Sequence, residues 1–90
     1  MRYYVYILYS EKFDKYYKGY TTNPPVRLLQ HNNGESRYTR HFVPWKLVFL
    51  QSYDTKSEAL IRERKLKKYG IEKLRTLISS SVNEINHKAG

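Results

Sequence analysis

The strongest strand signal is a run of hydrophobic residues near the N-terminus. Residues 2–9 carry apolar or aromatic side chains on both of their alternating faces. Such a segment is typical of a strand that is covered on each side, so we predict that it lies centrally in a sheet. A polar, turn-like stretch follows at 10–15, and β-favouring residues resume over 16–21. This pattern predicts a β-hairpin with a loop of about six residues.

A helix is predicted directly after this hairpin. Asn23 is a favourable N-cap, and the two prolines that follow it occupy first-turn positions, where the backbone N–H groups have no intrahelical partner. Gly34 is expected to end the helix. The apolar side of the helix is expected to consist of Val26, Leu28 and Leu29.

The second half of the chain carries one strand signal and two helix signals. Residues 45–53 are predicted to form a third strand, buried on at least one face. Residues 55–58 match a capping box, which opens a helix that we expect to run to about Lys68 and to stop at Gly70. Apolar residues at helical spacing predict a shorter helix over 71–79.

Together these signals predict an α/β (α+β) fold, in which a small three-stranded antiparallel or mixed sheet is flanked by three helices. Ninety residues suffice for one modest core, but not for a separate recognition domain beside a catalytic one. We therefore expect a single domain over residues 1–79. The polar residues at 80–90 are expected to form a loosely ordered C-terminal tail.

The chain is strongly basic, with 17 Lys and Arg residues against 8 Asp and Glu residues and a net charge of +9. Both halves share this charge, which indicates a polyanionic partner, most simply nucleic acid and less readily an anionic membrane. No apolar run is long enough to cross a bilayer or shaped like a signal peptide, so we expect a cytoplasmic protein without a membrane partner. The lack of cysteine excludes thiolate metal sites such as zinc fingers.

Tyrosine is concentrated at the N-terminal end, where seven of the 10 tyrosines fall within the first 20 residues. A small core does not require that density. A phenol can bury its ring and still offer a hydroxyl for hydrogen bonding, stacking or proton transfer. Phenols clustered beside cationic side chains therefore suggest a surface that handles phosphate.

Glu63 interrupts the apolar stripe of the second predicted helix. Ala59, Glu63 and Leu66 fall on one helical face, so the carboxylate points toward the core. An unpaired buried carboxylate costs on the order of several kcal/mol, so Glu63 needs a cation or a metal as its partner. The plainer partner is Lys67, in an i,i+4 ion pair worth about 0.3–0.5 kcal/mol on an exposed helix. Both interpretations remain open at this point.

Several motifs follow one another in an order and spacing that resembles the GIY-YIG nuclease superfamily. They are, in chain order, Tyr4-Val5-Tyr6, Tyr17-Lys18-Gly19, Arg27, His31 and Glu63. The run from Tyr17 to Asn23 and the residues after it are similar to the small single-domain branch, which itself resembles the N-terminal catalytic module of the bacterial excision-repair nuclease. Tyr4 and Val5 stand where the first motif has glycine and isoleucine, and Lys18 replaces an isoleucine of the second; neither change removes a catalytic group.

The resemblance implies roles for the aromatic residues. Tyr6 would be the general base or would position the attacking water, although a phenol with a pKa of about 10 needs nearby cations to ionise. Tyr17 would hydrogen-bond the scissile phosphate or its waters, and Gly19 would let the backbone approach closely. His31 would orient Tyr6 or relay a proton; the alternative is a polar helix residue that merely lies near Arg27.

The resemblance also implies how charge is handled. Arg27 would clamp the phosphate through its fork of donors and stabilise the charge that develops in the transition state. Glu63 would hold one divalent cation, Mg²⁺ or Mn²⁺, with water and phosphate oxygens completing its coordination. A single carboxylate suits one metal better than two.

Four further residues are candidates for nucleic-acid contact: Lys18, Arg37, Tyr38 and Arg40. On an alternating strand Lys18 faces away from Tyr17, so it is either solvated or turned toward the ligand by a bulge. The other three belong to a basic and aromatic loop, which is either simply solvated or contacts a nucleic-acid backbone, with Tyr38 stacking on a base.

The expected activity is metal-dependent, endonuclease-type hydrolysis of phosphodiester bonds in DNA, directed by structure rather than sequence, in repair or recombination. A protein partner or a homodimer would supply further targeting. The alternative is a non-catalytic nucleic-acid-binding module, or an adaptor, that keeps the basic tyrosine-rich surface.

Overall fold

The computed structural model describes residues 1–87 and contains three strands, three helices and two short 3₁₀ turns. In chain order these are β1 (Tyr3–Ser10), β2 (Lys15–Thr21), α1 (Pro24–Asn32), a 3₁₀ turn (Thr39–Phe42), β3 (Lys46–Tyr53), α2 (Lys56–Leu66), α3 (Ile71–Ile78) and a second 3₁₀ turn (Glu84–His87). The sheet order is β2-β1-β3, and both pairings are antiparallel. The predicted hairpin and the central position of the first strand are therefore confirmed.

The two faces of β1 belong to two different halves of the core. Val5 and Ile7 point toward α2 and α3 and pack with Phe49 of β3. Tyr6 and Leu8 point the other way, toward α1 and the loop before β3. Because both faces are covered, β1 is apolar on both sides, as its sequence indicated.

The first helix begins and ends where the sequence predicted. The Asn23 side chain accepts a hydrogen bond from the Val26 N–H at 3.4 Å, and the chain leaves the helix through Gly34, whose φ is +78°. The prediction for its apolar side was wrong in part, because Val26 and Leu29 are 45% and 60% exposed. The residue of α1 that is buried is His31.

The second and third helices follow their capping signals. Thr55 accepts a hydrogen bond from the Glu58 N–H at 3.2 Å, and α2 ends at Leu66, two residues before the predicted end. Ala59 and Leu66 of α2 and Leu74 of α3 are buried against the β1 face described above. Each helix in the described part of the chain is too short and too polar to cross a bilayer.

The expectation of a loosely ordered tail was wrong for the start of 80–90. Asn83 is fully buried, and its side chain accepts from the Leu50 N–H and donates to the carbonyls of Val48 and Ile78. Glu84 accepts from the Ser52 N–H at 2.6 Å. These bonds attach the segment to β3, because its polar side chains satisfy strand groups that face no other strand. Residues 88–90 of the predicted tail lie outside the described residues.

Candidate active site

A chain of three hydrogen-bonded side chains lies between β1, α1 and the following loop. The Tyr6 hydroxyl is 2.9 Å from Nε2 of His31, and Nδ1 of His31 is 2.7 Å from the hydroxyl of Thr39. All three residues are buried, with Tyr6 only 2% exposed and Thr39 not exposed at all. A polar chain of this kind specifies a unique arrangement of its members, since each buried group needs its partner.

Gly19 makes room for this arrangement. It is the register partner of Tyr6 on β2, and the phenol of Tyr6 lies over it. The family resemblance implied that Gly19 lets the backbone approach the substrate closely. In the structure, the group that lies against Gly19 is the ring of Tyr6. Without a Cβ at this position, the phenol can extend across β2 toward the edge of the sheet.

Tyr17 forms an aromatic wall beside the chain of hydrogen bonds. Its ring centroid lies 5.0 Å from that of His31 and 6.4 Å from that of Tyr6. Tyr17 also contacts Tyr38, with 6.3 Å between the ring centroids and 30° between the ring planes. Tyr17 is half-buried and Tyr38 is 51% exposed, so this wall leads from the buried chain out to the surface.

A cleft of about 250 Å³ opens next to this wall. Its lining residues are Tyr17, Arg27, Gln30, His31, Glu35 and Ser36. Nε of Arg27 donates to Gln30 at 3.1 Å, and one terminal nitrogen makes a long 3.5 Å contact with the Tyr20 carbonyl. Arg27 also acts on the Tyr6 hydroxyl, because a hydrogen bond from the guanidinium and its charge both lower the pKa of Tyr6. A guanidinium carries five N–H donors, so these contacts leave further donors for an anion in the cleft that Arg27 lines.

The local environment keeps both Tyr6 and His31 neutral near pH 7. Burial, followed by the neighbouring Tyr17, raises the pKa of Tyr6 to about 12. The nearby Arg27 lowers this pKa, but its effect does not outweigh burial. Burial and then the charge of Arg27 lower the pKa of His31 below its ordinary value. Tyr6 is therefore better suited to donating or accepting a hydrogen bond than to removing a proton from water.

Glu63 lies apart from the cleft but within electrostatic range of it. Its carboxylate is among the groups that raise the pKa of Tyr6, although it does not line the cleft. As its stripe position predicted, the side chain is only 17% exposed. Its partner in the structure is Lys67, at 3.3 Å. Among the described residues, no three His, Cys, Asp or Glu side chains are grouped so that they could hold a metal ion.

The remaining candidates for nucleic-acid contact occupy separate places. The strand register pairs Lys18 with Ile7, on the face of the sheet that α2 and α3 cover, so it does not share the face of Tyr17. Arg37 and Arg40 are exposed on the loop that leads to β3. Tyr38 is the one member of this set in ring contact with the site, through Tyr17.

Sequence reasoning missed the residues that hold the loop in place. Asn32 donates to the Trp45 carbonyl at 3.0 Å and accepts from its N–H at 2.6 Å. The indole N–H of Trp45 in turn donates to the Thr39 carbonyl at 2.8 Å. Asn32 and Thr39 both belong to the run of residues that resembles the small single-domain branch. Neither lies in a periodic pattern, however, so spacing alone does not reveal the bonds that they form.

Comparison with known proteins identifies the family of this chain. A family model described as the GIY-YIG catalytic domain matches residues 2–72. A UPF0213 protein of Clostridium perfringens is 40% identical over 87 residues, covering 94% of this chain and 92% of the relative. A UPF0213 protein of Haloquadratum walsbyi is 43% identical over 75 residues, covering 82% and 83%.

A solved structure extends the likeness to three dimensions. The solution NMR structure of a UPF0213 protein from Bacillus halodurans has a TM-score of 0.60 and 31% identity, covering 99% of this chain and 95% of that one. The family match, the relatives and this structure all span most of the chain. The protein therefore belongs to the GIY-YIG catalytic domain family, together with the small UPF0213 proteins, and this membership supports an endonuclease-type role.

Proposed function

We propose that this protein hydrolyses phosphodiester bonds in DNA as a metal-dependent endonuclease. The observation that carries the proposal is the cleft that Arg27 lines with its cationic guanidinium, beside Tyr17 and the His31 that contacts Tyr6. A guanidinium with free donors next to phenols and a neutral imidazole is an arrangement suited to a phosphate diester.

Arg27 would bind the scissile phosphate. Gln30 accepts a hydrogen bond from Nε, and the Tyr20 carbonyl makes a long contact with one terminal nitrogen. The remaining N–H groups of the terminal nitrogens would face the anion. Two parallel N–H donors match two phosphate oxygens, and the charge on these oxygens grows in the transition state. Tyr17, which also lines the cleft, would donate a hydrogen bond to the phosphate or to a water bound to it.

Tyr6 and His31 would position the attacking water. The raised pKa of Tyr6, about 12, makes the neutral phenol its working form. We therefore favour the positioning role over that of a general base. His31 would orient the phenol through the 2.9 Å contact between its Nε2 and the Tyr6 hydroxyl.

Glu63 would hold the divalent cation, Mg²⁺ or Mn²⁺. A largely buried carboxylate within electrostatic range of Tyr6 fits a hard cation that takes oxygen ligands and keeps most of its waters. When bound, the ion would polarise the phosphate and favour ionisation of water, which a neutral phenol cannot do. The carboxylate would have to exchange Lys67 for the metal.

The substrate would be recognised by shape and charge. The cleft is small, and the exposed basic residues around it, including Arg37 and Arg40, contact phosphates more readily than base edges. Nicked, flapped, branched or single-stranded DNA in repair or recombination is the expected substrate class, and a protein partner or a homodimer would add targeting. Lys18 is retained as a weaker backbone contact at the edge of β2.

Cleavage of a labelled panel of single-stranded, nicked, flapped and branched DNA and matched RNA tests the proposal. With Mg²⁺, wild type should cut and Arg27→Lys should lose about 100-fold in rate, since a lysine lacks the two-pronged donor set. Arg64→Lys, on the exposed part of α2, is the matched control and should keep full activity.

Glu63→Gln tests the metal site in the same assay. It should abolish cleavage while DNA binding persists, and EDTA should have the same effect on wild type. Glu72→Gln, an exposed acid on α3, is its control. Cleavage that survives both EDTA and Glu63→Gln would exclude a metal at this carboxylate.

A second candidate function is a nucleic-acid-binding module without catalysis. The ion pair between Glu63 and Lys67 favours it, because the carboxylate already has a cationic partner. Its signature is salt-dependent DNA binding with no cutting of any member of the panel under Mg²⁺ or Mn²⁺.

A further inference from the structure

The hydroxyl of Thr39 presents a problem of proton placement. Thr39 is fully buried, and within residues 1–87 its hydroxyl has one hydrogen-bond partner, Nδ1 of His31 at 2.7 Å. The hydroxyl of Tyr6 contacts the other ring nitrogen of the same His31 at 2.9 Å. Two hydroxyl groups therefore compete for one imidazole.

A neutral imidazole can accept a hydrogen bond from only one of the two hydroxyl groups. It carries one N–H donor and one unprotonated nitrogen, and burial together with Arg27 keeps His31 in this neutral form by lowering its pKa. One hydroxyl must donate to the ring and the other must accept from it. The hydroxyl that accepts has to find another acceptor for its own proton.

The surroundings decide between the two hydroxyls. If Thr39 accepted from His31, its proton would be buried without an acceptor, at a cost of about 1–3 kcal/mol. Tyr6 retains slight exposure and stands beside the residues that line the cleft, where water or a phosphate oxygen can accept its proton. The lower-energy arrangement is the one in which Thr39 donates.

We infer that Thr39 donates to Nδ1 of His31 and thereby fixes the Nε2–H tautomer, so that His31 donates to the Tyr6 oxygen and the Tyr6 proton is directed toward the cleft. Thr39 is then a positioning residue: it sets the direction of every hydrogen bond in the chain and acts on the substrate only through Tyr6. Its part in cleavage rests on the proposed function, whereas the tautomer of His31 does not.

The structure holds Thr39 firmly enough for this task. Its carbonyl accepts the indole N–H of Trp45 at 2.8 Å, and the backbone of Trp45 is held at both its N–H and its carbonyl by Asn32. Asn32 follows His31 directly in α1. His31 and Thr39 are therefore held in place relative to each other by the bonds that join Asn32, Trp45 and Thr39.

Nitrogen-15 NMR of the histidine side chains tests the inference without any substrate. At neutral pH the protein should show His31 with a protonated Nε2 and an unprotonated Nδ1 that carries a hydrogen bond. His41→Gln and His87→Gln spectra assign the signal. A protonated Nδ1 in the wild-type protein would overturn the inference, and this result needs no variant at position 39 to fold.

Two substitutions extend the test. Thr39→Val keeps the shape but removes the donor, so the Nδ1 signal should lose its hydrogen-bond shift and the two tautomers should become mixed; Thr39→Ser should restore the wild-type spectrum. In cleavage assays Thr39→Val should lower kcat at least about tenfold with little change in KM, and Thr39→Ser should recover it. An Nδ1 signal unchanged in Thr39→Val would contradict the inference, whereas a correct tautomer in a protein that never cuts would count against the proposed function alone.

Discussion

The phenol of Tyr6 occupies the space in which any side chain at Gly19 would have to lie. A Cβ placed on Gly19 would come closer than 3.0 Å to the hydroxyl oxygen and two ring carbons of Tyr6, a distance that real Cβ atoms do not adopt. Glycine at position 19 in the second motif therefore makes room for Tyr6 of the first motif. The two motifs pack directly against each other between β1 and β2.

Gly19→Ala should displace the Tyr6 phenol and break its hydrogen bond with Nε2 of His31. Overpacking of this kind costs about 1–3 kcal/mol of unfolding free energy, and a displacement of the phenol should lower cleavage about 100-fold. Chemical denaturation and single-turnover cleavage measure the two effects. Gly70→Ala is the control, since nothing lies within 4 Å of a Cβ there. Full activity in Gly19→Ala would show that the position of the phenol does not matter.

Tyr6 should make the protein less stable at high pH. Its pKa is about 12 in the folded protein and 10.0 when unperturbed, so above pH 10 the unfolded chain loses a proton that the folded chain keeps. The free energy of unfolding should then fall between pH 10 and 12, by about 1 kcal/mol at pH 11.

Urea denaturation at pH 9 and pH 11 measures this loss in wild type and in Tyr6→Phe, which should lack it. Tyr4→Phe, a half-buried tyrosine on the same strand, should keep it. Burial also raises the pKa of Tyr53, and its contribution cancels in the comparison. An equal loss in Tyr6→Phe would mean that Tyr6 ionises normally in the folded protein.

Lys67→Met should ease metal binding at Glu63 rather than destabilise the protein. The Lys67 side chain is 59% exposed, so its ion pair contributes less than about 0.5 kcal/mol to the unfolding free energy. In the proposed function the same lysine competes with the cation for the carboxylate, so the Mg²⁺ concentration for half-maximal cleavage should fall about twofold.

A Mg²⁺ titration of cleavage and a thermal melt measure both effects of Lys67→Met. The matched control is Lys68→Met, because Lys68 is exposed and forms no ion pair within residues 1–87. If the two variants require the same Mg²⁺ concentration as wild type, Lys67 does not compete for the metal.

Asn83→Ala should destabilise the whole fold. The buried amide accepts from the Leu50 N–H and donates to the carbonyls of Val48 and Ile78. Its removal leaves the two β3 groups without these side-chain partners, at about 2–3 kcal/mol in total, whereas the Ile78 carbonyl still accepts from Asn86. Denaturant midpoints of Asn83→Ala and of the exposed Asn86→Ala measure the difference. Equal denaturant midpoints for the two variants would show that the bonds of Asn83 do not stabilise the fold.

The local features of the fold could be predicted from the sequence. The Asn23 cap, the Thr55 cap and the doubly apolar β1 depend on neighbours a few residues away, and the structure has all three. The stripe position of Glu63 likewise predicted a mostly buried carboxylate, since helical spacing alone decides which face a residue occupies.

Features that depend on distant partners could not be predicted in this way. His31 is buried while Val26 and Leu29 on the same helix are exposed, because Tyr6 and Thr39 supply partners that no helical period reveals. Asn83 looked like part of a polar tail, yet its bonds reach 33 and 35 residues back to β3. The family resemblance grouped Tyr6, Arg27 and His31 in one site, but it assigned no role to Thr39, whose hydroxyl bonds His31.

The hydrogen-bonded chain and its supports, from Tyr6 to Trp45, come entirely from the first half of the polypeptide, whereas Glu63 is contributed by the second. In the proposed function, phosphate recognition and metal binding therefore rest on separately encoded segments. One codon change at position 63 would then leave the phosphate-binding half intact, so a descendant that binds its polyanion without cutting it would lie a single substitution away.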